Sequence, residues 1–203
     1  TNKSITAMFK PTKETYRKAK VILGKLQQKE VEKSPDLFRG LKMPLQTSKH
    51  VPISAYSVGR NIYIGNFMSF TTDVKVSLGF ASSNSSDEQY VSTIFAVPAG
   101  DMKRGMFVSE FSQYEHEEEF ITSGEFKITS IDAVIGNFNN LDQMLKNSKR
   151  FKSFEDLMNN LKYKGISFKQ FYDNSIPNTK EGKEALTFFR DRVRVGVYME
   201  QVW

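Results

Sequence analysis

The sequence predicts an α+β domain, on three observations. Apolar residues recur at three- and four-residue spacing near the N-terminus, the middle of the chain breaks into short β-branched runs, and residues 193–200 alternate apolar with polar. With 203 residues the chain is long enough to bury one substantial core, and its 17 phenylalanines predict that the core is Phe-rich.

The helical periodicity comes first. Tyr16, Ala19, Leu23 and Leu26 follow Pro11-Thr12, with Lys, Arg and Gln between them. This helix is expected to end before Ser34-Pro35, because proline forces the residue ahead of it out of helical geometry. Leu37-Phe38-Arg39-Gly40 reads as a short strand stopping at the glycine. Residues 61–67 alternate as a strand, and Ser69–Thr72 is a polar stop. Residues 74–81 carry apolar side chains at 74, 78 and 81, as a short helix does. A Ser/Asn/Asp loop leads to the strand Tyr90–Val97, ended by Pro98-Ala99-Gly100. Met106–Ser109 is a further short strand. Phe120-Ile121 and Phe126–Ile131 flank Ser123-Gly124, which reads as a hairpin turn. Helices are predicted over 141–145, 154–161 with Ser153 as cap, and 180–190. The alternating run from Val193 is the last strand.

Composition excludes several chemistries. The absence of cysteine removes disulfides, thiolate nucleophiles and Cys metal sites. The two histidines, His50 and His116, lack the short spacing of a helical metal pair, so no metal is expected. No apolar run approaches the roughly 20 residues that span a bilayer, and no membrane partner is expected. The net charge of +6 is spread along the chain, which permits acidic or phosphate-bearing partners without specifying one.

Three polar islands sit at strand ends: Arg39-Gly40, Ser69-Phe70-Thr71-Thr72, and Glu115-His116-Glu117-Glu118-Glu119. Singly, an acidic run is most often a solvated loop. In this order and context, from about Leu37 to Ile131, the sequence resembles the arginine-type mono-ADP-ribosyltransferase family with its Arg, Ser-Thr-Ser and Glu-x-Glu signature. Within that family it is most similar to the T-even phage enzymes that modify host RNA polymerase; Ser-Phe-Thr-Thr at 69–72 and Lys-Ile-Thr-Ser-Ile at 127–131 carry the closer likeness.

The resemblance implies an α+β fold of two small, roughly perpendicular sheets around an NAD cleft, with flanking helices. It implies one catalytic domain over 1–203: an N-terminal helix (1–35), an NAD-binding core (36–131), a helical insertion (132–192) and a final strand (193–203). Because the chain starts at Thr1, a piece of something longer is also expected. NAD would be the substrate, with no metal. Glu119 would stabilise the positive charge that grows on the ribose as the nicotinamide bond breaks. Ser69 would hold that carboxylate, and Arg39 would pair with the NAD phosphates through its planar fork. Gly40 would let backbone approach the nicotinamide amide; Thr71, Phe80 and Asn66 are further NAD contacts. Phe80 reads equally as a helix core residue, and Asn66 reads better as a turn residue. Glu117 would deprotonate the attacking guanidinium, which favours arginine as acceptor.

The motif departs from the family at two places. Ser-Thr-Ser is Ser-Phe-Thr, so Thr72 either compensates or shifts the register to Thr71-Thr72. The acidic run allows 117/119, Glu118 with His116 two before it, or 115/117. In residues 132–192, Phe171, Tyr172 and the Lys/Arg surface either bind the target protein or form a helical layer on the sheet. The expected partner is a target protein with an acceptor arginine, RNA polymerase first, with NAD-capped RNA as a conceivable donor. The place of action is then the cytoplasm of an infected host, the enzyme being packaged and injected. Competing readings are a secreted bacterial toxin acting on actin or another host protein, an NAD glycohydrolase, and a non-catalytic binding module for acidic partners.

Overall fold

The structure, a computed structural model, describes residue 21 and residues 30–45, 56–82, 90–108 and 118–202, with backbone alone at residues 44 and 64–67. Most of the predicted N-terminal helix, both histidines and residues 115–117 lie outside these. Already at Glu30 the chain is not helical; it bridges Arg104, and Val31 N–H donates to Lys103 O.

The fold class is α+β. Nine strands are described: β1 (Leu37–Pro44), β2 (Asn61–Thr71), β3 (Tyr90–Val97), β4 (Met106–Phe107), β5 (Glu119–Ile135), β6 (Ser148–Phe151), β7 (Lys162–Tyr163), β8 (Ile166–Ser167) and β9 (Val193–Gln201). The helices are α1 (Val74–Ala81), α2 (Leu141–Lys146), α3 (Phe154–Asn160), α4 (Phe168–Tyr172) and α5 (Lys180–Asp191). Seven strands share one hydrogen-bonded network, in the order β2-β1-β3-β9-β5-β4, with β6 on β5 and a further β2–β5 pairing; β7 and β8 form a separate hairpin.

The long strand β5 organises this network. Its first half pairs with β2, from Thr71↔Glu119 to Asn61↔Lys127, and its second half pairs with β9, from Phe126↔Gln201 to Ile135↔Val193. The two halves therefore belong to two neighbouring blocks of sheet joined through one strand. On the far side, β1 pairs along its length with β3, yet meets β2 only at Phe38↔Thr71. Two strands that touch at one position and then part leave an opening between them.

Three expected boundaries are corrected. Ser123-Gly124 is no hairpin turn: β5 runs straight through it, and the glycine (φ 121°) sits opposite Ile64 where the register slips between Ile64 and Met68. A bulge accommodates the extra residues and the positive φ without reversing the chain. β1 does not stop at Gly40 but continues to Pro44, and Ser69 is not a stop but a paired residue of β2, opposite Ile121.

Two apolar layers cover the sheet. On one face Leu37, Phe95, Ile131, Val195 and Val197 pack with Phe154, Leu157, Phe168, Phe171 and Phe189 from α3, α4 and α5. On the other, Phe38, Ile94, Val134 and Tyr198 pack against α1 and α2. Alternate residues of each strand thus serve opposite layers. Burial pushes the Tyr198 hydroxyl pKa up to about 12, so it stays neutral while sharing a hydrogen bond with Ser148. Phe171 and Tyr172 are buried in the first layer, so neither is available to a target protein; residues 154–189 form a helical layer on the sheet. β5 crosses the expected boundary between residues 131 and 132 as one unbroken strand.

One buried polar side chain ties the layers' ends together. The Gln201 amide is fully buried; its Oε1 accepts from Lys103 N (2.8 Å) and Arg104 N (2.7 Å), and its Nε2 donates to Thr122 Oγ1 (3.1 Å) and Ser123 O (2.8 Å). Truncation to alanine takes the acceptor from the Lys103 and Arg104 amides and one donor each from Thr122 Oγ1 and Ser123 O; an unsatisfied buried polar group costs about 1–3 kcal/mol. Gln201→Ala is expected to lower unfolding stability by about 3 kcal/mol or more, read as a shifted urea midpoint.

Candidate functional site

The opening between β1 and β2 is a cleft of about 280 Å³, near the lower end of the ~300–1,000 Å³ usual for small-molecule sites. Its walls are Phe38–Leu41 of β1, Ser69–Thr71 of β2, Glu119 at the start of β5, and Val76, Ser77 and Phe80 of α1. Strand pairing brings these together across large sequence separations. Thr71↔Glu119 and Ser69↔Ile121 are consecutive same-face pairs, so Glu119 lies diagonally across from Ser69.

Ser69 links the two charged groups of the cleft. Arg39 Nη1 donates to Ser69 O at 2.9 Å, and Ser69 Oγ donates to Glu119 Oε1 at 2.6 Å. The second is short, as hydrogen bonds to an ionised carboxylate are. Arg39 is half-buried, and its Nε is buried with no partner. Desolvation lowers its pKa from the ordinary arginine value, but a guanidinium keeps its charge regardless. A buried, charged donor left unpaired is costly unless an anion or other acceptor completes it.

The helix wall has its own sequence logic. Asp73 caps α1 by accepting from Lys75 N at 2.8 Å, and Thr71 Oγ1 accepts from Asp73 N at 3.1 Å. Thr71 is thus buried and engaged in the turn from β2 into α1. Val76 and Phe80, four apart, share one helix face. Phe80 is 60% exposed, so it is no core residue: its ring lies open at the cleft.

Gly40 has a tighter constraint than the sequence suggested. A Cβ there would lie 1.7 Å from the Ser77 carbonyl oxygen of α1. Its bare backbone is what lets α1 lie against β1 and form the cleft wall. Asn66 falls in the bulged part of β2, where the structure describes only backbone. Glu117 and Glu115 are outside the described residues. Glu118, exposed, takes φ 44° and accepts a hydrogen bond from Thr72 Oγ1; it is not among the residues that line the cleft.

Sequence reading did not single out Phe38, Leu41, Val76 or Ser77. The signal was available for the last two, which precede Phe80 at helical spacing. Among the described residues, no three His, Cys, Asp or Glu side chains come together as a metal site. No described helix is long and apolar enough to cross a membrane.

Fold and cleft together define an α+β protein with an arginine–serine–glutamate constellation where two strands part. No protein-family model matches the sequence, and no curated protein matches it. Among solved structures, the chain is similar to the ADP-ribosyltransferase Vis, crystallised with the inhibitor M6, at 13% identity and a TM-score of 0.45. The superposition covers 93% of this chain and 58% of that one, so this chain spans little over half its length.

Proposed function

We propose that this chain is an NAD-dependent mono-ADP-ribosyltransferase that passes ADP-ribose to an arginine of a target protein. The observation that carries the reading is the meeting of Arg39, Ser69 and Glu119 in one cleft, joined through Ser69 although they come from three strands. Arg39, Ser69 and Glu119 each come from one of the three islands named from the sequence.

The chemistry follows from the groups. The bond between ribose C1′ and the nicotinamide nitrogen breaks, and its electron pair leaves with neutral nicotinamide. The ribose becomes oxocarbenium-like, and the Glu119 carboxylate stabilises that charge more than it stabilises ground-state NAD. Ser69 keeps the carboxylate aimed. Arg39, with an unpaired donor, suits the pyrophosphate of NAD. The open Phe80 ring suits the flat face of nicotinamide. An arginine nitrogen of the acceptor then bonds to C1′ and gives up a proton, for which Glu117, two residues before Glu119, is the proposed base.

The further reach of the proposal follows the phage likeness. The acceptor protein is host RNA polymerase or a protein associated with it, the place is the infected cell's cytoplasm, and NAD-capped RNA is a second donor.

Ser69→Ala removes one hydrogen bond to a charged group, worth about 1.5–3 kcal/mol. The expected result is a kcat for NAD consumption about tenfold or more below wild type, with NAD affinity held within about threefold, measured by nicotinamide release and calorimetry. The proposal as a whole is tested by incubating the protein with adenylate-labelled NAD and a bacterial cell extract. Label on protein, released by neutral hydroxylamine, is the expected outcome. Free ADP-ribose alone means hydrolysis with water as acceptor. Unconsumed NAD means a non-catalytic binding module, and hydroxylamine-resistant label excludes arginine linkage.

A further inference from the structure

We infer that the hydrogen bond from Thr72 to Glu118 is a positioning clamp that holds the Glu119 carboxylate on Ser69, an inference that rests on the reading of Glu119 as the reacting carboxylate. Backbone pairing of β2 with β5 ends at Thr71↔Glu119. One step further, Thr72 and Glu118 stand opposite each other, and only the side chains continue the contact: Thr72 Oγ1 donates to Glu118 Oε2. The clamp therefore sits immediately past the last rung of the ladder, next to the residue whose direction decides the chemistry.

The backbone of Glu118 gives the reason for it. Three described non-glycine residues have positive φ: Glu118 (44°), Lys164 (49°) and Asn174 (54°). Lys164 occupies the β7–β8 turn, and Asn174 follows the end of α4; such turns favour this conformation, and asparagine tolerates it. Glu118 instead directly precedes a 17-residue strand. A left-handed glutamate there is unfavourable by itself and persists only where surrounding contacts hold it. Two described contacts do so on either side: Thr72 on the Glu118 carboxylate, and Val108 N–H on the Glu119 carbonyl at 2.9 Å. If Glu118 relaxed to ordinary extended geometry, the chain entering Glu119 would turn, and the 2.6 Å bond from Ser69 would be lost. The clamp also gives Thr72 a task in a motif where Phe70 has replaced the middle hydroxyl.

The test uses the full chain with NAD. Thr72→Val keeps the shape and removes the hydroxyl; Thr72→Ser restores it; Glu118→Gln keeps an acceptor oxygen. Thr72→Val is expected to lower kcat for nicotinamide release about tenfold, with KM for NAD within about twofold, because misdirecting a catalytic group costs rate and not affinity. Thr72→Ser is expected to recover most of the rate, and Glu118→Gln to lose about threefold at most. Amide exchange of the segment 118–121, read by mass spectrometry, is expected to quicken in Thr72→Val while β9 stays as in wild type. An unchanged kcat in Thr72→Val, or unchanged exchange, overturns the clamp. A collapse in Glu118→Gln as deep as in Glu119→Gln also overturns it, by making Glu118 the reacting carboxylate. A wild-type protein that consumes no NAD, with exchange still quickened by Thr72→Val, supports the clamp and overturns the enzymatic reading instead.

Discussion

Glu119→Gln is expected to lower NAD consumption about 10²–10³-fold while leaving the fold and NAD binding nearly intact. Glutamine has the same shape, and its amide oxygen still accepts from Ser69 Oγ, the 2.6 Å contact that fixes the carboxylate. What the substitution removes is the negative charge. That charge does little for neutral or weakly polar ground-state ribose and much for an oxocarbenium-like one, so the loss falls on kcat. Nicotinamide release under saturating NAD measures it, and calorimetric NAD affinity within about threefold of wild type is the companion result. A variant that keeps more than a tenth of wild-type kcat would remove Glu119 from the reacting centre. Ser69 offers an internal check. If its hydroxyl acts only through the carboxylate, Ser69→Ala adds almost nothing on the Glu119→Gln background, although alone it costs about tenfold. Independent, additive losses would mean that Ser69 touches substrate directly.

The pieces of this cleft were unequally legible in the sequence. β3 and the helix α1 are legible with their observed limits because local pattern and tertiary demand agree: β3 is buried at every position and reads as an apolar run, while the spacing of Val74, Leu78 and Ala81 specifies a short helix, which Asp73 caps in the structure. Arg39, Ser69 and Glu119 were found as islands at strand ends. What no local pattern announced is that Ser69 is itself inside a strand. A polar residue in a paired strand looks like a stop until one knows that it faces a cleft.

Other features were hidden for physical reasons. The continuity of β5 through Ser123-Gly124 depends on a bulge in β2, a long-range event, whereas Ser-Gly locally signals a turn. Ser148–Phe151 is an edge strand with exposed Lys149 and Arg150, charged as edges are, and so reads as loop. The β7–β8 turn uses Lys164-Gly165 in place of the more telling Asn-Gly, with positive φ at both. By contrast, α4 carried a readable sign: Ser167 and Gln170 form a reciprocal capping box, an S-x-x-Q pattern present in the sequence. Gly40 was noticed for a different service. Its bareness reads as room for a ligand; the structure adds that helix α1 packs against it, while Gly40 still lines the cleft.

Gly40→Ala is accordingly expected to damage stability and activity together. The added methyl would sit 1.7 Å from Ser77 O, 2.6 Å from Ser77 C and 3.0 Å from Ala81 N. All three are backbone atoms of one helix, so no side chain can swing aside; α1 must leave β1 by more than an ångström to restore a normal C···O separation of about 3.3 Å. Overpacking of this kind costs about 3 kcal/mol, visible as a lowered urea midpoint. The same displacement carries Val76, Ser77 and Phe80, one wall of the cleft, away from Arg39 and Glu119. Misplacement on that scale is worth about 10²-fold in rate, so nicotinamide release falls even in the fraction that folds. Gly79, on the same helix, separates the two causes. A Cβ there meets nothing within 4 Å, and alanine favours helix over glycine, so Gly79→Ala is expected to hold activity and to add up to about 1 kcal/mol of stability. Equal behaviour of the two alanines would mean that the contact between α1 and β1 does not set the width of the cleft.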